Sequence, residues 1–388
     1  MSSESIYALS IYALAIIVCV LPFAPALVEW LRKTDADPLV VVREQDANIR
    51  HFAGSFFDRI QSFFAEHHID PRSPPPPFNA PFGQYDAAYF VGNEQKPEFG
   101  GAEKRNRVIR SVLISTDDLL LEGGYVFEQE IYCGRQLYAG SNNTYRAVYA
   151  GTDLILGPNS TVARWLHSQG HVYIGEASRA LGRISSASSI TLAKDVIFER
   201  LNATVIRFES DTFINVSDTM LSTSEPMPQA PPGGVKIDEN TLLFTGNTHI
   251  PAGSTVDKNV ISKGDLLLGA ECAISGNLKS YGRLTVGRES VVHGSLICER
   301  NISVERSCKI LGPIVSETQI HIGPGCVIGL PESPTSVTAP EINIAIGSEL
   351  SGTLWASKEG KVISVDQNDE SGTQTISVSG RATSKPPH

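Results

Sequence analysis

Two rows of residues in this 388-residue sequence recur at a spacing that could do chemistry. Glu271 and Glu289 hold the same place in successive units of one repeat, with Asp195 at the matching place further upstream. Carboxylates aligned on one face can cleave glycosidic bonds or coordinate calcium. Ser307 and Gly325 interrupt the row, so these acids read as solubilising surface charge. The second row is Ser254, Cys272, Ser290, Cys308, Cys326 and Ser348. Serine alternating freely with cysteine is the behaviour of a volume constraint at a tight inward corner rather than of a metal ladder. His293 and His321 are the candidate general bases. Strand alternation points both outward, which makes them solvated surface histidines.

No local signature adds to these. The chain has no GxxxxGK[ST] phosphate loop, no GxSxG elbow and no HExxH pair. Its six cysteines, Cys19, Cys133, Cys272, Cys298, Cys308 and Cys326, include no CxxC pair and no Cys/His set at zinc-finger spacing, so they read as reduced packing residues. Cys308 and Cys326 are one repeat apart, a permissible disulfide separation, but a cytoplasmic body keeps them reduced. The expectation is a non-enzyme with no catalytic residue, no cofactor and no metal. With 32 Lys and Arg against 42 Asp and Glu, the formal net charge is -10. That balance opposes the broad basic surface that phosphate backbones select, so neither nucleic acid nor nucleotide is an expected partner.

The rows owe their spacing to an internal 18-residue repeat, in register when the chain is cut at Thr248, Leu266, Leu284, Ile302 and Ile320. The third position of each block is Ile250, Leu268, Val286, Val304 and Ile322; the ninth is Val256, Ile274, Val292, Ile310 and Ile328; the thirteenth is Val260, Leu278, Leu296 and Ile314. After a four-residue insertion near Pro331 and Pro334 the pattern returns at Ile342, with Ile344, Leu350 and Leu354. Short apolar strands between glycine corners, at a period too short for a helix pair, predict an all-β parallel β-helix in which each turn pairs with the turns above and below. Gly276, Gly294, Gly312 and Gly352 mark one corner where a side chain or ordinary backbone angles would clash. A looser repeat starts at Leu154, Val172 and Ile190, and strands around Leu119 to Leu121 and Ile131 extend it backward. Pro226, Pro228, Pro231, Pro232, Gly233 and Gly234 break the pattern between the halves. One continuous rod is expected, because a second pair of open ends exposes more unpaired strand edges.

Upstream, Ile6 to Val28 runs without a charged residue, long enough to cross a hydrocarbon core of roughly 30 Å as a transmembrane helix. Glu4 precedes it and Arg32 and Lys33 follow, which by the positive-inside rule places the body in the cytoplasm. Ala24-Pro25-Ala26 loosely mimics a signal-peptide cleavage site, but the basic start such a signal needs is missing. Ile49, Phe52, Phe56, Ile60 and Phe63, widened by Phe57 and Phe64, predict an amphipathic helix that lies on the bilayer, caps an open end or packs on the protein's own core. The expected division is a transmembrane anchor over 1–33, a juxtamembrane helix over 34–70, a Pro-rich and basic linker over 71–106 and a first β-helix array over 107–217. A Pro/Gly-rich insertion follows over 218–238, then a second array over 239–365 and a polar tail over 366–388.

The units Ile274-Ser275-Gly276-Asn277-Leu278, Val292-His293-Gly294-Ser295-Leu296 and Ile310-Leu311-Gly312-Pro313-Ile314 resemble the bactofilins. The likeness is good over Thr248 to Gln319, weaker over Leu154 to Phe208, and does not cover the chain from Met1 to Arg110. It implies a right-handed β-helix, often at the bacterial inner membrane, that polymerises end to end without nucleotide and organises cell-shape or envelope-synthesis machinery as a cytoskeletal scaffold. Hexapeptide-repeat acyltransferases share the 18-residue turn, and a monomeric β-helix binding module is a third reading. The upstream end of the rod has a candidate cap in the Phe-rich stripe, whereas the downstream end has none. Val362, Ile363 and Val365 are therefore the candidate polymer interface.

Overall fold

The computed structural model describes residues 49–84, 86–92, 94–209 and 235–364, together with Leu21. The apolar run Ile6–Val28 (apart from Leu21), most of the 218–238 insertion, Val365 and the polar tail lie outside the described residues. The body belongs to the compact unit Ile49–His388. It is a parallel β-solenoid of about 13 turns.

Each turn of the second array carries three short strands that we call its first, second and third faces. In one rung these are Leu284–Val286, Val291–Val292 and Leu296–Cys298. Leu284, Val286, Val292 and Leu296 are buried and stack on Ile302, Val304, Ile310 and Ile314 of the next rung. Backbone groups are satisfied between turns, as where Gly287 N–H donates to Leu268 O at 2.9 Å and His293 N–H to Ile274 O at 2.8 Å. The 18-residue register holds from Thr248 to Ile320, and Ile320 then pairs with Ile342 across the insertion. The chain re-enters the third face at Val337, which pairs with Ile314 and supplies a core position the repeat did not reveal.

The first array follows the same plan from Val108–Ile109 onward. Leu119, Leu137, Leu154, Val172 and Ile190 stack on its first face. Leu113, Ile131, Val148, Leu166, Ile184 and Leu201 stack on its third. Its looseness has two visible causes. The step from Ile131 to its partner Val148 falls one short of the full repeat. Aromatic rings also replace aliphatic side chains inside: Phe127 stacks on Tyr145 at 5.1 Å, and buried Asn143 reaches the Tyr145 hydroxyl with its Nδ2 at 2.6 Å.

The rod is continuous, but the halves join in an unexpected sense. The last rung of the first array, Ile197–Phe208, pairs antiparallel with the last strand of the second, Glu349–Ile363. Phe198 faces Gly360, Leu201 faces Leu354 and Ile206 faces Leu350. The first face of one array thus continues into the second face of the other, and only the third face continues into itself. Both arrays begin with a hairpin at the outer end of the rod. In the first it is Phe78–Phe82 with Asp86–Gly92, and in the second Val235–Asp238 with Thr241–Phe244.

The expected amphipathic helix forms as α1, His51–Glu66. Arg50 at its N-cap makes no side-chain cap and its first turn holds no acid, so packing rather than capping holds it. Phe56, Ile60, Phe63 and Phe64 are buried against Val112, Ile114, Tyr132, Tyr149 and Trp165 on the outside of the first array's third face. Each such ring or aliphatic side chain contributes roughly 1.5–3 kcal/mol when buried. The helix therefore packs on the protein's own flank rather than over an open end, and Phe52, expected within its buried stripe, is 43% exposed. The expected extended linker also folds: the first hairpin and a short helix, Gly101–Asn106, lie within it. The prolines are laid against that hairpin, close enough that a Cβ on Gly92 would come within 2.7 Å of Pro75 O.

Candidate interaction surfaces

The residues that could have done chemistry do not converge. His293 and His321 are exposed on separate faces. Glu271, Glu289, Ser307 and Asp195 all have φ near +58°, and Gly253, Gly325 and Gly347 occupy the same corner with φ of +68° to +85°. The sixth position is thus a left-handed turn that glycine or a short exposed side chain fills. The acids recur because the turn recurs, and their carboxylates stay in solvent.

The Ser/Cys row lines the inward corner as expected, with a polar role that volume alone did not show. Ser290 Oγ donates to Gly269 O at 3.2 Å, Cys308 Sγ to Gly287 O at 3.2 Å and Ser348 Oγ to Gly323 O at 2.8 Å. Each side chain satisfies a carbonyl of the preceding turn, which either a hydroxyl or a thiol can do. Ser262, Ser280, Cys298 and Ser316 form a second such row after the third face. The five described cysteines are free and buried. The Cys326 thiol is pushed up by its hydrogen bond to Cys308 and by burial. Among the described residues no cluster of His, Cys, Asp and Glu could hold a metal ion.

One buried histidine is invisible to the sequence reading, because it lies in the loosely repeating half. His167 Nδ1 is 2.8 Å from Ser185 Oγ, and its ring lies 5.4 Å from that of Tyr149. Burial and the neighbouring Arg50 push its pKa down to about 4. Ser185 is 1% and His167 4% exposed, which leaves this hydroxyl–imidazole pair no room for a substrate. A shallow groove of about 590 Å³ at the junction is lined by Asn202, Pro313, Ser333, Thr335 and Thr353, with no charged side chain. It offers neither acid nor base.

The rod's edges are more informative. Val362, expected at an open terminal edge, lies inside the junction instead, while the carbonyl of Ile363 beside it accepts from Ile346 N–H of its own array at 3.0 Å. Val362 N–H donates to Val196 O at 2.9 Å and its carbonyl accepts from Asp195 N–H at 3.1 Å. Arg207 pairs with Glu349 at 3.1 Å and Arg200 lies 4.1 Å over the Trp355 ring. The edge expected to await another chain is occupied by the first array. At the other end of the second array, by contrast, no described strand pairs with the outer edges of Thr248–Ile250 and Thr255–Val256. Thr248 N–H bonds inward to Asp265 O at 2.8 Å, so the alternate residue His249 aims its N–H and C=O at that open edge.

The outward column of the third face runs Leu243, Ile261, Lys279, Ile297, Val315, Thr338, Trp355, then Arg200, Arg183 and Trp165 across the junction. Ile297, Val315 and Trp355 are 41%, 38% and 44% exposed. Beside them Lys263 and Lys279 flank the Tyr281 ring at 4.0 and 4.8 Å, and their hydrogen bonds hold the Tyr281 hydroxyl below its ordinary pKa.

Among the described residues no helix is long and apolar enough to cross a membrane. No protein-family model, curated protein or solved structure matches the chain.

Proposed function

We propose that this chain is a non-enzymatic scaffold that self-associates through the outer end of its second array. On this reading the coil is right-handed and bactofilin-like, tethered by Ile6–Val28 at the bacterial inner membrane with its body in the cytoplasm. It organises envelope or polysaccharide synthesis proteins. The observation that carries it is the junction: within one chain, two rod ends already mate edge to edge through strand pairing. A terminal rung that pairs with another rung needs no nucleotide and no pocket, and the outer edge at Thr248–Ile250, unpaired among the described residues, presents backbone groups of the same kind. Val362 serves that purpose inside the chain, which moves the intermolecular contact to the opposite end of the array. His249→Pro tests it, since proline removes the edge N–H while an edge strand tolerates it. The full chain in detergent should sediment as an oligomer and this variant as the monomer, with unchanged circular dichroism. An oligomer of the same size in both would refute the proposed contact.

A further inference from the structure

We infer that the third face of the second array lies flat against an anionic lipid bilayer, so that the rod runs along the membrane rather than standing away from it. This rests on the reading of Ile6–Val28 as a membrane tether. Three observations place the contact on this face.

The first is apolar exposure. Ile297, Val315 and Trp355 stand in one column of the same sheet, with half-buried Ile261 and Leu243 continuing it outward. Among the described residues the helix over this face is α1, and it covers only the first array's part.

The second is charge. In a chain of net charge -10, the charged members of this column from Leu243 to Arg183 are Lys279, Arg200 and Arg183, all cations. The flanking column is mixed, with Lys263 beside Tyr281 and the exposed Glu299 and Glu317 in the next two rungs. Apolar side chains interleaved with cations and a tryptophan suit the interface of an anionic leaflet, where basic groups meet headgroups and rings sit at headgroup level.

The third is where the chain enters. Arg50 donates to Ser186 O at 2.9 Å, and Phe52 at the start of α1 lies under Arg183 at 4.7 Å. Arg183 pairs in register with Arg200, which covers Trp355. The body thus begins on the same face, beside the exposed column, and only the segment 29–48 separates Val28 from Ile49. At no more than about 3.5 Å per residue, that length keeps Ile49, where the body begins, within about 70 Å of Val28.

The test uses the full chain carrying Trp30→Phe, reconstituted in vesicles with brominated acyl chains. Trp165 is 7% exposed beneath Phe56, so quenching reports Trp355. In phosphatidylcholine vesicles containing phosphatidylglycerol, most of the Trp355 emission should be lost. Phosphatidylcholine alone should quench it less. Adding Ile297→Asp and Val315→Asp, both at exposed positions, should restore the emission while the chain still floats with the vesicles. A chain that floats with vesicles but keeps its Trp355 emission in both compositions overturns the inference and leaves the tether standing. A chain that does not float at all overturns the tether and the inference together. Trp355 shielded from lipid in a dimer that the Ile297→Asp substitution dissociates would assign the face to a second copy instead.

Discussion

Gly294→Ala should destabilise the body by about 3 kcal/mol or more, through steric crowding rather than backbone strain. A Cβ built at Gly294 lies 2.2 Å from Gly276 O, 2.5 Å from Gly276 C and 2.7 Å from Asn277 N, all backbone atoms of the rung below. Restoring an ordinary carbon–oxygen contact of about 3.3 Å asks the two rungs to part by about 1 Å. Two inter-rung bonds flank the site, His293 N–H to Ile274 O and Leu278 N–H to Ser295 O, both 2.8 Å. A separation of about 1 Å carries them beyond the useful range of about 3.2 Å, at a loss of about 1 kcal/mol each. Overpacking adds roughly a further 1–3 kcal/mol. Two other glycines separate the causes. Gly253 has φ of +70° and open space around its missing Cβ, so Gly253→Ala should cost only the left-handed penalty of about 1 kcal/mol. Gly246 is open with ordinary φ, so Gly246→Ala should be neutral or stabilising by about 0.5 kcal/mol. Urea unfolding of the three variants in detergent, followed by far-ultraviolet circular dichroism, gives the order. If Gly294→Ala and Gly246→Ala fall within about 0.5 kcal/mol of each other, rung spacing does not exclude a side chain at this corner and the reasoning fails.

Two further outcomes follow from buried positions. The His167 pKa is held at about 4 in the fold against about 6.5 when unfolded, so the fold prefers the neutral ring. Its contribution is complete above about pH 6.5 and declines as pH falls toward 4, by about 3 kcal/mol at most. His167→Gln should flatten that part of the unfolding profile between pH 7 and pH 4.5, and an unchanged slope would remove His167 as its source. Val292→Asp places a carboxylate at a position with 0% exposure and should cost several kcal/mol, whereas outward Thr285→Asp should melt within a few degrees of the parent. Equal melting of the two would contradict the register.

The second array is legible because its inner positions hold interchangeable Val, Ile and Leu, so Leu266, Leu284 and Ile302 announce their own stacking. The first array hides behind its shortened step and the Tyr145–Asn143 contact, which break the pattern without breaking the stack. Recurrence alone does not assign a role to Glu271 or Glu289: a row set by left-handed backbone resembles a row set by chemistry until φ is known. Gly276, Gly294, Gly312 and Gly352 do mark a crowded corner, but crowding suffices there, and of the four only Gly352 adds a positive φ, +124°. The junction is not legible at all. Antiparallel pairing between Leu201 and Leu354 leaves no periodic trace, since each residue continues its own array's repeat on its own side. For the same reason Val362 looks like the end of a rod in the sequence when it lies in the middle of one.

That junction sets a schedule for synthesis. The first array's last rung is complete when Phe208 leaves the ribosome, but the strand that covers it ends at Ile363. At about 5–20 residues per second, its edge stays bare for roughly 8–30 seconds while the second array is made. During that interval the nascent chain carries a finished solenoid with an unprotected end, open to any other chain translated nearby. A ribosome stalled between the two points, or a chain cut short of Glu349, would leave that end bare for good. Such fragments would be folded, apolar at one face and prone to join one another, so loss of the last few dozen residues harms the half of the molecule farthest from them in sequence.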